Sequence, residues 1–210
     1  EQEELARVLP VILALREVSD CLISIDTSKA EVARQAIGAG ADIINDVTGL
    51  TGDVNMSKVC AEEDVGVIVM HMQGTPERMQ DKPVYEDVLR EVRVFFEERY
   101  RTLVKLGVNP QCLCFDPGIG FGKTVEHNLL LLHGLSSLQV NDRPLMLGVS
   151  RKSMIGAVLG LETAEDRDTG TVALTSLGRM AGAHLHRVHQ VKSNFEAMRM
   201  AEAVLNVNSA

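Results

Sequence analysis

The sequence predicts an α/β fold, a (β/α)8 TIM barrel of which about six of the eight βα units are present. Three observations carry this. Six short apolar runs of β type alternate with stretches whose apolar residues recur at helical spacing, the pattern of parallel strands joined by right-handed crossovers. The runs are almost continuously apolar, as strands covered on both faces are. Each run also ends in polar residues of functional type: Asp26, Asn45 with Asp46, His71, Asp116, Ser150 with Lys152, and Arg187 with His189. A doubly wound sheet needs such residues only around one switch point. A barrel gathers all its strand ends at one mouth, and polar ends on every run favour the barrel.

In chain order, a helix over 5–18 precedes the first strand, 22–26. Ser28-Lys29-Ala30-Glu31 reads as a capping box, opening a helix that ends near the glycines at 38 and 40. The second strand is 42–47, followed by a helix over 53–63 and a third strand over 66–71. Gln73-Gly74-Thr75-Pro76 is a turn. A long amphipathic helix over 85–106 is stopped by Gly107 and Pro110. The fourth strand, 113–116, leads into a helix over 124–135, and the fifth, 145–150, into helical segments at 153–159 and 166–180. The sixth strand is 184–189 and the last helix 195–205. No linker or low-complexity tract interrupts the pattern, so residues 1–210 read as one domain.

Composition narrows the function classes. Hydrophobic residues make up 45% of the chain and aromatics 3%, so the core is aliphatic. A net charge of -8 with no basic stripe argues against a nucleic-acid partner. There is no apolar run of about 18 residues to span a membrane, and the acidic opening Glu1-Gln2-Glu3-Glu4 is not that of a signal peptide. Cys21, Cys60, Cys112 and Cys114 lack zinc or redox spacing. Cys112 and Cys114, alternating along one strand, read as small core residues, and reduced thiols point to the cytoplasm.

The most informative segment runs from Cys114 to Lys123, Cys-Phe-Asp-Pro-Gly-Ile-Gly-Phe-Gly-Lys. An apolar strand delivers Asp116, then proline and three glycines let backbone approach whatever the acid holds. Pro117 and Gly118 also prevent Asp116 from simply capping a helix. Asp26 closes another run, where it is either a ligand group or an N-cap. Asn45 both donates and accepts through its amide. Two carboxylates and an amide suit a flat heterocycle with amidine-like N–H donors rather than a phosphate. Arg187 and His189, two apart on a strand, share a face and with Lys152 supply cations for an anion, as the forked guanidinium does for phosphate oxygens. The helix start at 150–153 adds backbone N–H groups. His184 and His186 face the other way, so a His184/His186/His189 metal site fails on alternation. His71 ends a strand and reads equally as a packed or a catalytic residue; Met70 and Met72 read as packing, with an apolar wall as the alternative.

Together these residues resemble the dihydropteroate synthases. The resembling segments are Ile25-Asp-Thr-Ser-Lys29, Ile44-Asn-Asp-Val47, Met70-His-Met-Gln-Gly-Thr-Pro76, Phe115-Asp-Pro-Gly-Ile-Gly-Phe-Gly-Lys123, Gly148-Val-Ser-Arg-Lys-Ser-Met-Ile-Gly156 and Arg187-Val-His189. They stand in the family's order through nearly the whole chain, and the Phe115 and Ser150 segments are the most specific. The resemblance implies a (β/α)8 barrel that joins 7,8-dihydropterin-6-ylmethyl diphosphate to p-aminobenzoate with release of diphosphate, assisted by Mg2+. It implies that Asp26, Asn45, Asp116 and Lys152 bind the pterin, with Met70 beside the ring. Arg187 and His189 would hold diphosphate, Ser153 would sit near the p-aminobenzoate carboxylate, and Lys152, Arg187 and His189 would be the catalytic set. It further implies a homodimer and a class of enzyme that sulfonamides target.

The sequence also departs from the family pattern. Two N-terminal strands, whose loops carry an Asn-x-Thr-x-Asp-Ser-Phe type motif with a metal-linked Asn and a Ser/Thr-Arg-Pro motif, have no counterpart here, and Gln190 stands where an acid is usual. The expectation is therefore an N-terminally incomplete domain with no certain metal ligand of its own. Two alternatives stay open at this point: a pterin-binding methyltransferase domain, and a non-catalytic fragment that only binds pterin.

Overall fold

The computed structural model describes residues 1–74, 79 and 83–207. Thr75 and Pro76 of the expected turn lie outside the described residues. The chain forms two compact units, Glu1–His71 with Phe95–Phe115, and Met72–Val94 with Asp116–Ala210.

In the first unit, α1 (Gln2–Val18) precedes β1 (Ser24–Asp26), α2 (Ala30–Gly38), β2 (Ile43–Asp46), α3 (Met56–Glu63) and β3 (Gly66–Met70). The part of α4 (Val88–Lys105) from Phe95 onward and β4 (Leu113–Asp116) up to Phe115 complete it. Its strands lie in chain order. β1 pairs parallel with β2, placing Asp26 opposite Asn45, and β2 pairs parallel with β3. The core is aliphatic, with Ile25, Ile44, Val32, Ala33, Val59 and Val69 buried, and Phe96 packs on Phe115 with ring centroids 4.8 Å apart. Burial on both faces holds for β2, β3 and β4. It fails for β1, where Ser24 and Asp26 are exposed around a buried Ile25, the alternation of a strand covered on one face only.

Polar groups fasten these elements. Arg16 of α1 donates to Asp42 Oδ2 and Gly40 O, each at 2.5 Å, and to Cys21 O at 2.8 Å. Asp42 Oδ2 also accepts the Ile23 N–H at 2.7 Å. That backbone bond, ahead of Arg16, holds the Asp42 carboxyl below its usual range. The expected capping box is not formed. α2 starts at Ala30 with Lys29 as N-cap, so Ser28 falls one residue too early. Asp53 Oδ2 instead caps the Ala30 N–H at 2.9 Å, while Thr27 Oγ1 accepts from Lys29 N at 3.2 Å. Used in this way, Asp53 lies outside α3, which begins only at Met56. Cys112 lies in a 3-10 turn before β4, with Sγ 3.6 Å from Asp64 Oδ1, so it does not share a strand face with buried Cys114.

The second unit carries α5 (Val125–His133), β5 (Leu145–Leu147), α6 (Ser153–Leu159), α7 (Asp168–Met180), β6 (Ala183–His186) and α8 (Val191–Leu205). β5 and β6 are parallel, with a register shift between Leu145 and Met146. Both strands are shorter than the sequence predicts. Ser150 and Lys152 lie in a turn beyond β5, and Arg187 and His189 lie in a loop beyond β6. The strand-face argument for Arg187 and His189 therefore does not apply. One ladder-type bond persists past the end, from Arg187 N to Leu147 O at 3.1 Å. His186 does face the helix layer, against Gly178 of α7. Thr124 caps α5 through a box completed by the His127 ring. Among the described residues, no helix is long and apolar enough to cross a membrane.

Candidate active site

The first unit brings together three of the expected site residues at neighbouring strand ends. Asn45 Nδ2 donates to Asp26 Oδ1. A carboxylate only accepts, so this bond fixes which end of the Asn45 amide is the donor. The other end, Asn45 Oδ1, is buried without a hydrogen-bond partner. Leaving such an acceptor unpaired costs about 1–3 kcal/mol, and a ligand N–H is the group that would relieve it. Met70 ends β3 and is buried. His71 is also buried, meeting the Phe95 ring edge-to-face at 5.0 Å, the geometry of a packed histidine.

Asp46, next to Asn45, does something different. Its Oδ1 accepts from Thr48 N and Thr48 Oγ1, both at 2.8 Å, closing the turn after β2. Burial raises its carboxyl, opposed by the Thr48 bonds and by the charge of Arg99. Arg99 in turn donates to Leu50 O at 3.3 Å, where the backbone has the left-handed φ of 61°. Asp46 thus shapes the turn behind Asn45. Asp46 also pushes the buried Cys60 thiol further up, to about 12, with burial the larger cause, so that cysteine is inert packing.

The second unit holds the other acid. Asp116 is 4% exposed and accepts the Gly118 N–H at 2.7 Å. Burial raises its carboxyl, while Lys152, the Gly118 bond, Lys123 and Arg187 all act to lower it. Lys152 donates to Ile119 O and lies over the Phe121 ring, 4.7 Å from its centroid. Burial brings its amine down to about 8 against the pull of Asp116. The glycines of the loop make this approach possible. Gly120 takes φ +83°, and a Cβ there would stand 3.2 Å from Lys152 Cδ. A Cβ on Gly122 would run into the Gln73 carbonyl.

Lys123 is the residue that sequence reasoning passes over. It ends the glycine segment and looks like an exposed helix start. It is 4% exposed, with Nζ donating to Gly118 O at 3.1 Å and Phe121 O at 3.0 Å. Burial lowers its amine to about 7, with Asp116 pulling the other way. The carbonyls it meets belong to its own glycine turn, a signal present in the sequence only as three glycines ahead of a lysine.

The cationic loop beyond β6 is exposed at Arg187 and His189. Ser150 Oγ lies 2.8 Å from His189 Nδ1 and accepts the His189 backbone N–H at 3.1 Å. Arg151, between Ser150 and Lys152, takes φ 58° and is pinned on all sides. Its guanidinium forks onto Asp168 at 2.8 and 2.9 Å, its N–H donates to Thr171 Oγ1 at 3.1 Å, and its carbonyl accepts from Arg167 at 3.0 Å. Ser153 is the exposed first residue of α6. The second unit therefore groups Asp116 with Lys152 and Arg187, and pairs His189 with Ser150. Chemically, the first unit offers a carboxylate and an unpaired amide acceptor, and the second a buried carboxylate among cations beside an exposed cationic loop.

The pterin binding enzyme family model matches residues 1–189, running through both units. The dihydropteroate synthase of Escherichia coli K12 is 43% identical over 205 residues, 98% of this chain and 72% of that enzyme. That of Synechocystis is 41% identical over 97% of this chain and 70% of the enzyme. The Yersinia pestis dihydropteroate synthase in a sulfonamide drug complex superposes with a TM-score of 0.95 at 41% identity, covering 99% of this chain and 75% of that one. The Xanthomonas albilineans enzyme in complex with 7,8-dihydropteroate gives 0.91 at 39%, covering 98% and 77%. The six parallel βα units are accordingly those of a (β/α)8 barrel, and the chain belongs to the pterin-binding enzymes, within the dihydropteroate synthases.

Proposed function

We propose that this chain carries out the dihydropteroate synthase reaction, joining 7,8-dihydropterin-6-ylmethyl diphosphate to p-aminobenzoate. The arylamine nitrogen attacks the methylene carbon, the bond from that carbon to the diphosphate oxygen breaks, and its electron pair leaves with diphosphate. The amine then gives up one proton to solvent. No protein nucleophile is needed, and preorganised charge around the leaving group supplies the acceleration.

The observation that carries this reading is Asp116, a buried carboxylate offset by Lys152, Lys123 and Arg187. A binding site for a cationic group alone would not surround its acid with cations. A site that holds amidine-type N–H groups while stabilising a departing anion needs both charges. On this reading Asp116 and Lys152 bind the pterin, as do Asp26 and the unpaired acceptor of Asn45, with Met70 as apolar packing for the ring. Arg187 and His189 bind diphosphate and, with Lys152, form the catalytic set. Ser153 meets the p-aminobenzoate carboxylate, which is also where a sulfonamide would compete.

Among the described residues, no group of three or more His, Cys, Asp and Glu could hold a metal ion. Magnesium is proposed to accompany the diphosphate, as this ion commonly binds with substrate phosphates. The free cysteines support a reducing, cytoplasmic compartment, and a homodimer remains part of the proposal. Asp116→Ala tests the reading. Loss of a charge-assisted hydrogen bond worth about 1.5–3 kcal/mol weakens pterin binding roughly 10- to 150-fold by calorimetry. Parent-like affinity in that variant would overturn it.

A further inference from the structure

Ser150 is, in the sequence, one more polar residue after a strand. In the structure it meets His189 twice, accepting the backbone N–H at 3.1 Å and lying 2.8 Å from ring Nδ1. The hydroxyl keeps a second lone pair and one hydrogen, and among the described residues Nδ1 is the acceptor that hydrogen reaches, so the arrangement that uses the hydrogen makes Nδ1 the acceptor. A neutral imidazole whose Nδ1 accepts carries its proton on Nε2.

Two further observations keep this arrangement in place. Asp168, a carboxylate that feels the charge of His189, is already engaged by the Arg151 fork at 2.8 and 2.9 Å. Arg151 itself is locked in a left-handed conformation by Asp168, Thr171 and Arg167. A non-glycine residue keeps such a conformation only when its surroundings over-determine it. The consequence is that the backbone next to Ser150 is held in place beside His189.

We propose that Ser150 is a positioning residue which holds His189 as the Nε2–H tautomer, so that the ring presents a hydrogen-bond donor to a diphosphate oxygen. This rests on the diphosphate reading of Arg187 and His189 given above. The exposed His189 side chain is open to such a ligand, and an imidazole with Nδ1 protonated and Nε2 bare would turn a lone pair toward the anion instead.

The test uses the full chain labelled with 15N and reads the tautomer from correlation spectra of the histidine ring nitrogens, without ligand. The parent shows His189 with a bare Nδ1 and a protonated Nε2. Ser150→Ala shows a mixture of tautomers, and Ser150→Thr, which keeps the hydroxyl, restores the parent signature. Calorimetry with inorganic diphosphate should show Ser150→Ala weakened roughly five-fold, the effect of one ordinary hydrogen bond, with most of it recovered in Ser150→Thr. A Ser150→Ala variant with the parent tautomer and parent diphosphate affinity overturns the proposal and leaves the anion site standing. Parent-like diphosphate binding in both Arg187→Ala and His189→Ala removes the anion site, and the proposal falls with it.

Discussion

Asp46 and Asp116 end strands β2 and β4, both are buried, and burial raises both carboxyls. Their surroundings then diverge. Asp46 spends one oxygen on Thr48, twice, and faces the charge of Arg99; its other oxygen is buried without a partner. Asp116 spends one oxygen on the Gly118 N–H and sits among Lys152, Lys123 and Arg187. The first acid is matched to its own turn through one oxygen. The second has three cations acting on one carboxylate, the imbalance on which the proposed ligand site rests. Burial of an acid at a strand end is therefore no sign of function by itself; the charge balance around it is.

Exchanging the two acids in turn sharpens this contrast, and the largest effect is expected on stability. Asp46→Ala removes two bonds to Thr48 and the counter-charge of half-buried Arg99, so denaturant unfolding should show a loss of about 2–3 kcal/mol. Pterin affinity in the surviving folded protein should stay within about two-fold of the parent, since no ligand role falls on Asp46. Asp116→Asn should show the reverse, with a stability change under about 1 kcal/mol, because burial already disfavours the charge, and a clear fall in pterin affinity. Equal profiles for the two variants would break the comparison.

The next effect concerns Lys123. Its amine is lowered from the usual 10.5 to about 7 in the folded chain. Between these values the unfolded state binds the extra proton, so this residue's contribution to stability rises with pH across about 7 to 10.5 and is level below about 7, where both states hold the proton. Measured against Lys123→Met, the parent should gain stability as pH rises through that window and show a constant difference below it. A pH-independent difference would show that Lys123 acts only through packing of its stem. The smallest effects separate the two candidate caps of α2. Asp53→Ala should cost about 1 kcal/mol, while Ser28→Ala should stay within about 0.5 kcal/mol, both read from thermal unfolding.

How much of this was legible beforehand follows the same divide. The alternation of apolar runs places all six strands, since burial of β2 to β5 is written as continuous hydrophobicity. The strand ends are less legible. β5 and β6 stop at Leu147 and His186 because the chain bends into the Ser150–Arg151 turn and the Arg187 loop, where apolar Val149 and Val188 carry the pattern on without the ladder. Asp46 and Asp116 look alike in sequence, because the cations that distinguish them come from up to 71 positions away, at Arg187. Lys123 was hidden for a different reason: a lysine becomes buried only where carbonyls converge, and glycine turns make such clusters without any polar side chain to announce them. The motif residues Asp26, Asn45, Lys152 and His189 were legible by type, whereas the Ser150 partner of His189 depends on a contact across 39 residues.

The backbone at Arg151 also bears on how such a protein would evolve under heat. Glycine takes a left-handed φ without strain, while the native arginine holds one that costs of order 1 kcal/mol. A library selected for thermal survival can therefore reach Arg151→Gly, paired with Asp168→Ala to remove the orphaned carboxylate, as a route to a more relaxed chain. The same pair of changes would unpin Ser150 and Lys152, one on each side, and loosen the hydroxyl that meets His189 and the amine beside Asp116. Selection for heat resistance and selection for turnover thus pull position 151 in opposite directions, which makes it a site where the trade between endurance and catalysis is decided by a single backbone angle.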